Sequence, residues 1–274
     1  MIAVQAELLA MLSAGLWQAI TVFIRVSALV SVLPAFGERT VPMRVKLAVA
    51  IAFTLIILPA VPVSTLAQTP QTLARLAMTE AVVGLSLGIG IRFFVLALQT
   101  AGSIAAQSTS LSQILGGAAA EPIPAMGYVL VIGGLALAVM TGLHVQAAEL
   151  LIRSYHLFPM GVFPFASDLS HWGVERVSSA FALAFMLAAP FVITSVLYNL
   201  TLGVINRAMP QLMVAFVGAP VITLGGIFIL FLCAPIMLSV WSDALAAFFQ
   251  SGLALAPVSS GINSEAAVLV RSGM

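Results

Sequence analysis

The ionisable side chains that stand within or beside long apolar runs are Arg25, Glu80, Arg92, Glu149 and Asp243. In hydrocarbon such groups are expensive, so each marks either a relay or a structural pair. A relay needs them clustered at one depth. Glu80 and Arg92, twelve residues apart on one segment, lie about 18 Å apart along a helix and cannot pair with each other there. Arg25, Arg92 and Asp243 fall near segment ends, where long side chains reach back toward water. Glu149 and Arg153 have the i,i+4 spacing of a self-neutralising helical pair. Structural pairing is therefore the expectation, ahead of ion-coupled transport.

Other reactive patterns dissolve on inspection. Gly84-Leu-Ser-Leu-Gly88 matches a nucleophile-elbow pattern, but that elbow requires a strand-to-helix turn with histidine and acid partners. Within an apolar segment the two glycines instead make a small-xxx-small packing face. His144, His156 and His171 do not pair with one another at i,i+3 or i,i+4, and zinc needs three or four ligands. No phosphate-binding glycine loop is present. The residues point to no enzyme, no metal and no cofactor. Cys233, the only cysteine, lies in an apolar run and reads as a small buried hydrophobe.

The elements that carry these groups follow from composition. Of 274 residues only 7% are charged, 62% are hydrophobic, and mean hydropathy is +1.18. A soluble domain cannot hide that much apolar surface. Charge-free runs at 47–74, 93–120, 122–148, 177–206 and 208–242 each exceed the roughly 20 residues that cross a bilayer as helix. The chain reads as an all-α polytopic integral membrane protein with about six hydrophobic helical segments, several kinked by proline (Pro190 and Pro235 fall inside the last two). Residues 1–255 form one helical membrane domain and 256–274 a flexible tail. The first run, Leu8 to Pro34, is too long for a signal core and has Glu7 where positive charge belongs, so it is retained as a helix. A net charge of +1 with one lysine leaves no basic patch for nucleic acid.

Breaks between the apolar segments organise the chain. The linker 37–46 holds Glu38, Arg39, Arg44 and Lys46, a basic cluster that places it in the cytoplasm with the N-terminus outside. A third segment is expected from Leu73 to about Gln99. Beyond it, 99–113 carries nine polar side chains (three Gln, four Ser, two Thr) without a charge, then runs into Gly116-Gly-Ala-Ala-Ala-Glu-Pro-Ile-Pro124. Lipid does not tolerate such a stretch, which belongs inside protein or beside water. Segment 126–152 follows as one apolar unit, and 154–176 is expected to be the largest aqueous loop. The last two runs, 177–205 and about 212–250, are split at Asn206-Arg-Ala-Met-Pro210. No internal repeat of the inverted transporter type is evident.

Several of these stretches, taken in order, resemble the FliR family of flagellar export-gate proteins, which has counterparts in virulence type III secretion. They are Arg25; Pro34-Ala-Phe36-Gly-Glu-Arg-Thr-Val-Pro42-Met-Arg44-Val-Lys46; Pro59; Thr141-Gly-Leu-His144; Ser154-Tyr155; Phe158-Pro-Met-Gly161; Ala188-Ala-Pro190; Asn199; and Arg207-Ala-Met-Pro210-Gln211 followed by Gly218 and Pro220. The likeness covers about 8–250. Two positions depart from it: Met213 stands where the family often has asparagine, and Ile222 where it often has a basic residue.

The resemblance implies a subunit of the type III export gate in the bacterial inner membrane, at the flagellar basal body. Implied partners are FliP-like and FliQ-like subunits, with FlhB-like and FlhA-like proteins nearby, membrane lipid around them and unfolded flagellar substrates in transit. It also implies that the loop after the third segment plugs the closed pore. On this chain the loop is about Leu111–Ala125, with Leu111, Ser112, Gln113, Gly116, Gly117, Pro122 and Pro124 as plug residues. Small residues allow close packing with few contacts to break, and the prolines stiffen the return. The rival readings are a virulence counterpart exporting effectors and a small-molecule secondary transporter.

Overall fold

The computed structural model describes residues 2–62, 69–110, 125–209 and 214–251, and these are helical throughout apart from short connections. In chain order the helices are α1 (Ile2–Val32), α2 (Met43–Ile57), α3 (Pro70–Ser110), α4 (Ala125–Met140), α5 (Leu143–Leu157), α6 (Ala166–Ala208) and α7 (Val214–Ser251). A 3-10 turn, Leu58–Ala60, closes α2 around Pro59. The fold is that of a polytopic all-α membrane protein. Among the described residues five helices are long and apolar enough to cross a bilayer, and α4 with α5 would add a sixth span if taken as one.

α3 is the central post, packed against α1, α4, α6 and α7. Its crossing with α1 needs glycine. A Cβ on Gly84 would strike the carbonyl oxygen of Arg25, and one on Gly88 would come within 3.0 Å of the Leu29 oxygen. The pair is thus a packing face, and Ser86 between them spends its hydroxyl on the carbonyl of Val82 at 2.7 Å. Farther along, the backbones of α3 and α4 meet at Gly102 and Gly127, where a Cβ on either has no room or only contact distance. The core between these helices is built from residues such as Val26, Leu29, Leu87, Leu98, Leu130, Phe191 and Trp241. Elsewhere large apolar side chains face outward, among them Phe181, Phe185, Ile193 and Leu200 on α6 and Phe228, Phe231 and Ile236 on α7. In water that surface would aggregate; in a bilayer it is the solvent-compatible one.

Three boundaries differ from the sequence reading. α3 does not stop near Gln99 but continues to Ser110. Its polar residues stay helical because the hydroxyls bond backward: Ser103 to the Gln99 carbonyl, Ser108 to that of Ala105, Thr109 to that of Ala106. The apolar unit 126–152 is two helices bent by 68° at Thr141–Gly142. Gly142 takes φ 84°, a left-handed turn that only glycine adopts without cost, and its carbonyl then accepts the amides of Val145 and Gln146 to start α5. The long aqueous loop shrinks to 158–165, since Asp168 and His171 lie on α6. Asp168 in the first turn and Arg207 in the last both complement the helix dipole. α6 and α7 run on through Pro190 and Pro235. Cys233 is half-buried against the core. The tail 256–274 lies outside the described residues.

Candidate functional site

Arg25 is fully excluded from solvent. This corrects the expectation that it reaches toward water. Its Nε donates to Glu80 Oε2 at 2.6 Å, Nη1 to Ser154 Oγ at 3.0 Å and Nη2 to the Phe158 carbonyl at 2.9 Å. The guanidinium also stacks over the Tyr155 ring, 3.7 Å from its centroid. Glu80, equally buried, uses its other oxygen to accept the Gly161 amide at 3.3 Å. Gly161 itself sits at φ 76°, so the chain turns there in a form suited to glycine. One ion pair thereby joins α1, α3, α5 and the loop after α5. Each charge is neutralised by its partner, and the fork of Arg25 is used on all three nitrogens.

A second cluster fixes the linker after α1. Arg92 on α3 donates to Glu38 at 3.1 Å and, more weakly, to the Val32 carbonyl at the end of α1 at 3.5 Å. Lys46 donates to the Gly37 carbonyl at 2.9 Å. Pro34 is buried and Phe36 packs half-buried on the core. Pro42 is the residue before α2, and its carbonyl accepts the amides of Val45 and Lys46. Arg44 and His144 are exposed and free to meet water, headgroups or partners. Arg92, like Arg25, is thus a paired residue rather than one stretching to solvent.

The third cluster lies at the far end of α3, where the described residues stop at Ser110. Ser108 and Thr109 are buried there. Ser195 on α6 donates to the Ser108 carbonyl at 2.5 Å and accepts from Asn199 Nδ2 at 3.2 Å. Tyr198 donates to the Gly218 carbonyl on α7 at 2.8 Å. Gly226 on α7 lies against Thr109, and a Cβ there would meet the Thr109 methyl. The polar end of α3 is enclosed by α6 and α7, as a stretch unfit for lipid must be. Leu111, Ser112, Gln113, Gly116, Gly117, Pro122 and Pro124 fall outside the described residues, as do Pro210, Gln211 and Met213 and the side chain of Pro220. Ile222, one of the two departures, is buried.

Sequence reasoning named Arg25, Glu80, Ser154, Tyr155, Phe158 and Asn199 but did not bring them together as partners. Ser195, Tyr198 and Trp241, whose indole donates to the Phe94 carbonyl at 2.8 Å, drew no notice. The usable signal was Glu80, a lone acid in an apolar segment that had to have a cation somewhere.

Residues 16–248 match the family described as bacterial export proteins, family 1. The chain belongs to this family. Similar to this export protein is the flagellar biosynthetic protein FliR of Caulobacter vibrioides, 32% identical over 227 residues, 81% of this chain and 90% of the relative. The protein of the same name from Escherichia coli K12 is 30% identical over 78% of this chain and 83% of its own length. That of Bacillus subtilis is 29% identical over 73% and 79%. The match to the bacterial export family covers all three clusters described above, from Arg25 in α1 to Gly226 in α7.

Proposed function

We propose that this protein is a subunit of the flagellar type III export gate of the bacterial inner membrane. It assembles with FliP-like and FliQ-like subunits around a pore for unfolded flagellar proteins, beside FlhB-like and FlhA-like components. What carries the reading is the identity, 32% over 227 residues, with a flagellar biosynthetic protein. The chain acts as conduit wall and not as an enzyme, so the driving energy comes from other components. Its work is mechanical: to hold helices in fixed register while one segment moves.

Within that role, loop 111–124 closes the pore as a plug. The support is local. The polar end of α3 turns its hydroxyls onto its own turns and accepts the Ser195 hydroxyl of α6 at the Ser108 carbonyl, and α3 and α4 touch at Gly102 and Gly127, so the proposed plug segment departs from and returns to two closely apposed helices. A frame so arranged stays fixed when the small-residue loop shifts.

The test is a gentle-detergent pull-down from native membranes, followed by ion-flux measurement on the assembled complex. Co-purification of FliP-like and FliQ-like proteins is the expected result; recovery of the chain alone, folded and monodisperse, overturns the reading. Deleting Gly116–Ala120 is expected to raise ion leakage without preventing assembly. Unchanged leakage in a well-assembled variant removes the plug assignment.

A further inference from the structure

Between α3, α6 and α7 lies a cavity of about 280 Å³, lined chiefly by apolar groups including Gly90, Phe93, Phe94, Leu183 and Phe248. One charged residue lines it, Arg176 on α6. Its Nε is buried and has no hydrogen-bond partner, and its guanidinium stands over the Phe248 ring, 5.9 Å from the centroid. The nearest acid, Glu175, reaches only the outer nitrogen, at 4.0 Å, and is itself 69% exposed. A cation held beside an apolar cavity with an inward donor unused calls for an anion attached to something apolar.

Position says what that molecule is. Arg176 is the last charge before the charge-free run 177–206 on α6. On the neighbouring helices, Arg92 of α3 precedes the charge-free run 93–120, and Asp243 of α7 follows 208–242. Gly90, Phe94 and Phe248 lie within a turn or two of those residues and meet at this cavity. Three helices therefore change from charged to charge-free at one level, where headgroups of a bilayer end and acyl chains begin. Arg92 and Asp243 do not line the cavity; Arg92 is paired with Glu38, and Asp243 faces outward.

We propose that this cavity is a binding site for an anionic phospholipid, with the phosphodiester on the Arg176 guanidinium and one acyl chain against Phe94, Leu183 and Phe248. Near 300 Å³, the cavity is at the small end of ligand pockets, so it takes a length of one chain and not the whole lipid. The bound molecule fills a wedge between the central post and the two last helices and supplies the acceptor that Nε lacks. The assignment rests on the membrane reading of the fold and not on the export role.

The test uses the full chain in its native assembly, with phosphatidylglycerol and diacylglycerol, which lacks the phosphodiester, each carrying a diazirine in the acyl chain. On irradiation, the phosphatidylglycerol probe is expected to label peptides containing Phe94, Leu183 or Phe248 about tenfold more than the neutral probe, the scale of one charge-assisted contact. Arg176→Gln abolishes the difference, while Arg153→Gln on α5, which alters an exposed ion pair with Glu149 and a bond to the Phe249 carbonyl, leaves it. Equal labelling by the two probes on the unaltered protein, or labelling that misses these peptides, overturns the proposal without any variant. So does an assembled Arg176→Gln protein that keeps the preference.

Discussion

Arg25 and Glu80 stand 55 residues apart in sequence and 2.6 Å apart in space, both without solvent exposure. The pair decides how α1 lies on α3, because its geometry holds only where Gly84 lets the two backbones touch. Glu80→Ala leaves a buried guanidinium unpaired and is expected to cost about 3–5 kcal/mol. Replacing both members with Met and Leu restores much of that loss, since apolar isosteres carry no desolvation penalty. Unfolding of the detergent-solubilised protein measures both. A Glu80→Ala protein as stable as the parent contradicts the assignment.

The two less buried pairs give the opposite expectation. Arg92–Glu38 is about 30% exposed and Arg153–Glu149 more than half exposed. Glu38→Gln and Glu149→Gln are each expected to cost below about 1 kcal/mol, with an effect that fades as salt rises. Stability measured at low and high ionic strength separates these pairs from Arg25–Glu80, whose contribution salt does not reach.

Glycine substitutions sort by the space around each Cα. Gly84→Val is expected to push α1 from α3 and lower thermal stability by several degrees, an overpacking cost of about 1–3 kcal/mol. Gly203→Ala on α6 has nothing within 4 Å of its new Cβ and leaves stability unchanged or slightly raised. Equal melting shifts for the two would show that the α1–α3 crossing is not close-packed.

Ser195→Ala removes the hydroxyl that joins α6 to the Ser108 carbonyl, at about 1 kcal/mol. Hydrogen exchange is the sharper readout. Amides at 105–110 are expected to exchange faster, while those around Arg25 stay protected. Acceleration at both places alike would mean that the two clusters are not independent.

Much of this protein was legible before any coordinates. Charge-free runs longer than a bilayer crossing, and ordered motifs from Arg25 to Pro220, sufficed for an all-α membrane protein and its family, because bilayer solvation acts on composition and segment length. The packing role of Gly84 and Gly88 and the Glu149–Arg153 pair were also readable, being local to one helix. What composition does not encode is who stands opposite whom. Arg25 read alone is a snorkelling side chain; Glu80, Ser154 and the Phe158 carbonyl make it a fully buried charge, and they arrive from 55 to 133 residues away. The bend at Gly142 was hidden because an apolar run looks the same straight or broken, and only packing of α5 against α2 and α7 selects the left-handed turn. The persistence of α3 to Ser110 had the same cause. Hydroxyls that would favour a loop in water bond back to their own helix once α6 and α7 have removed the water.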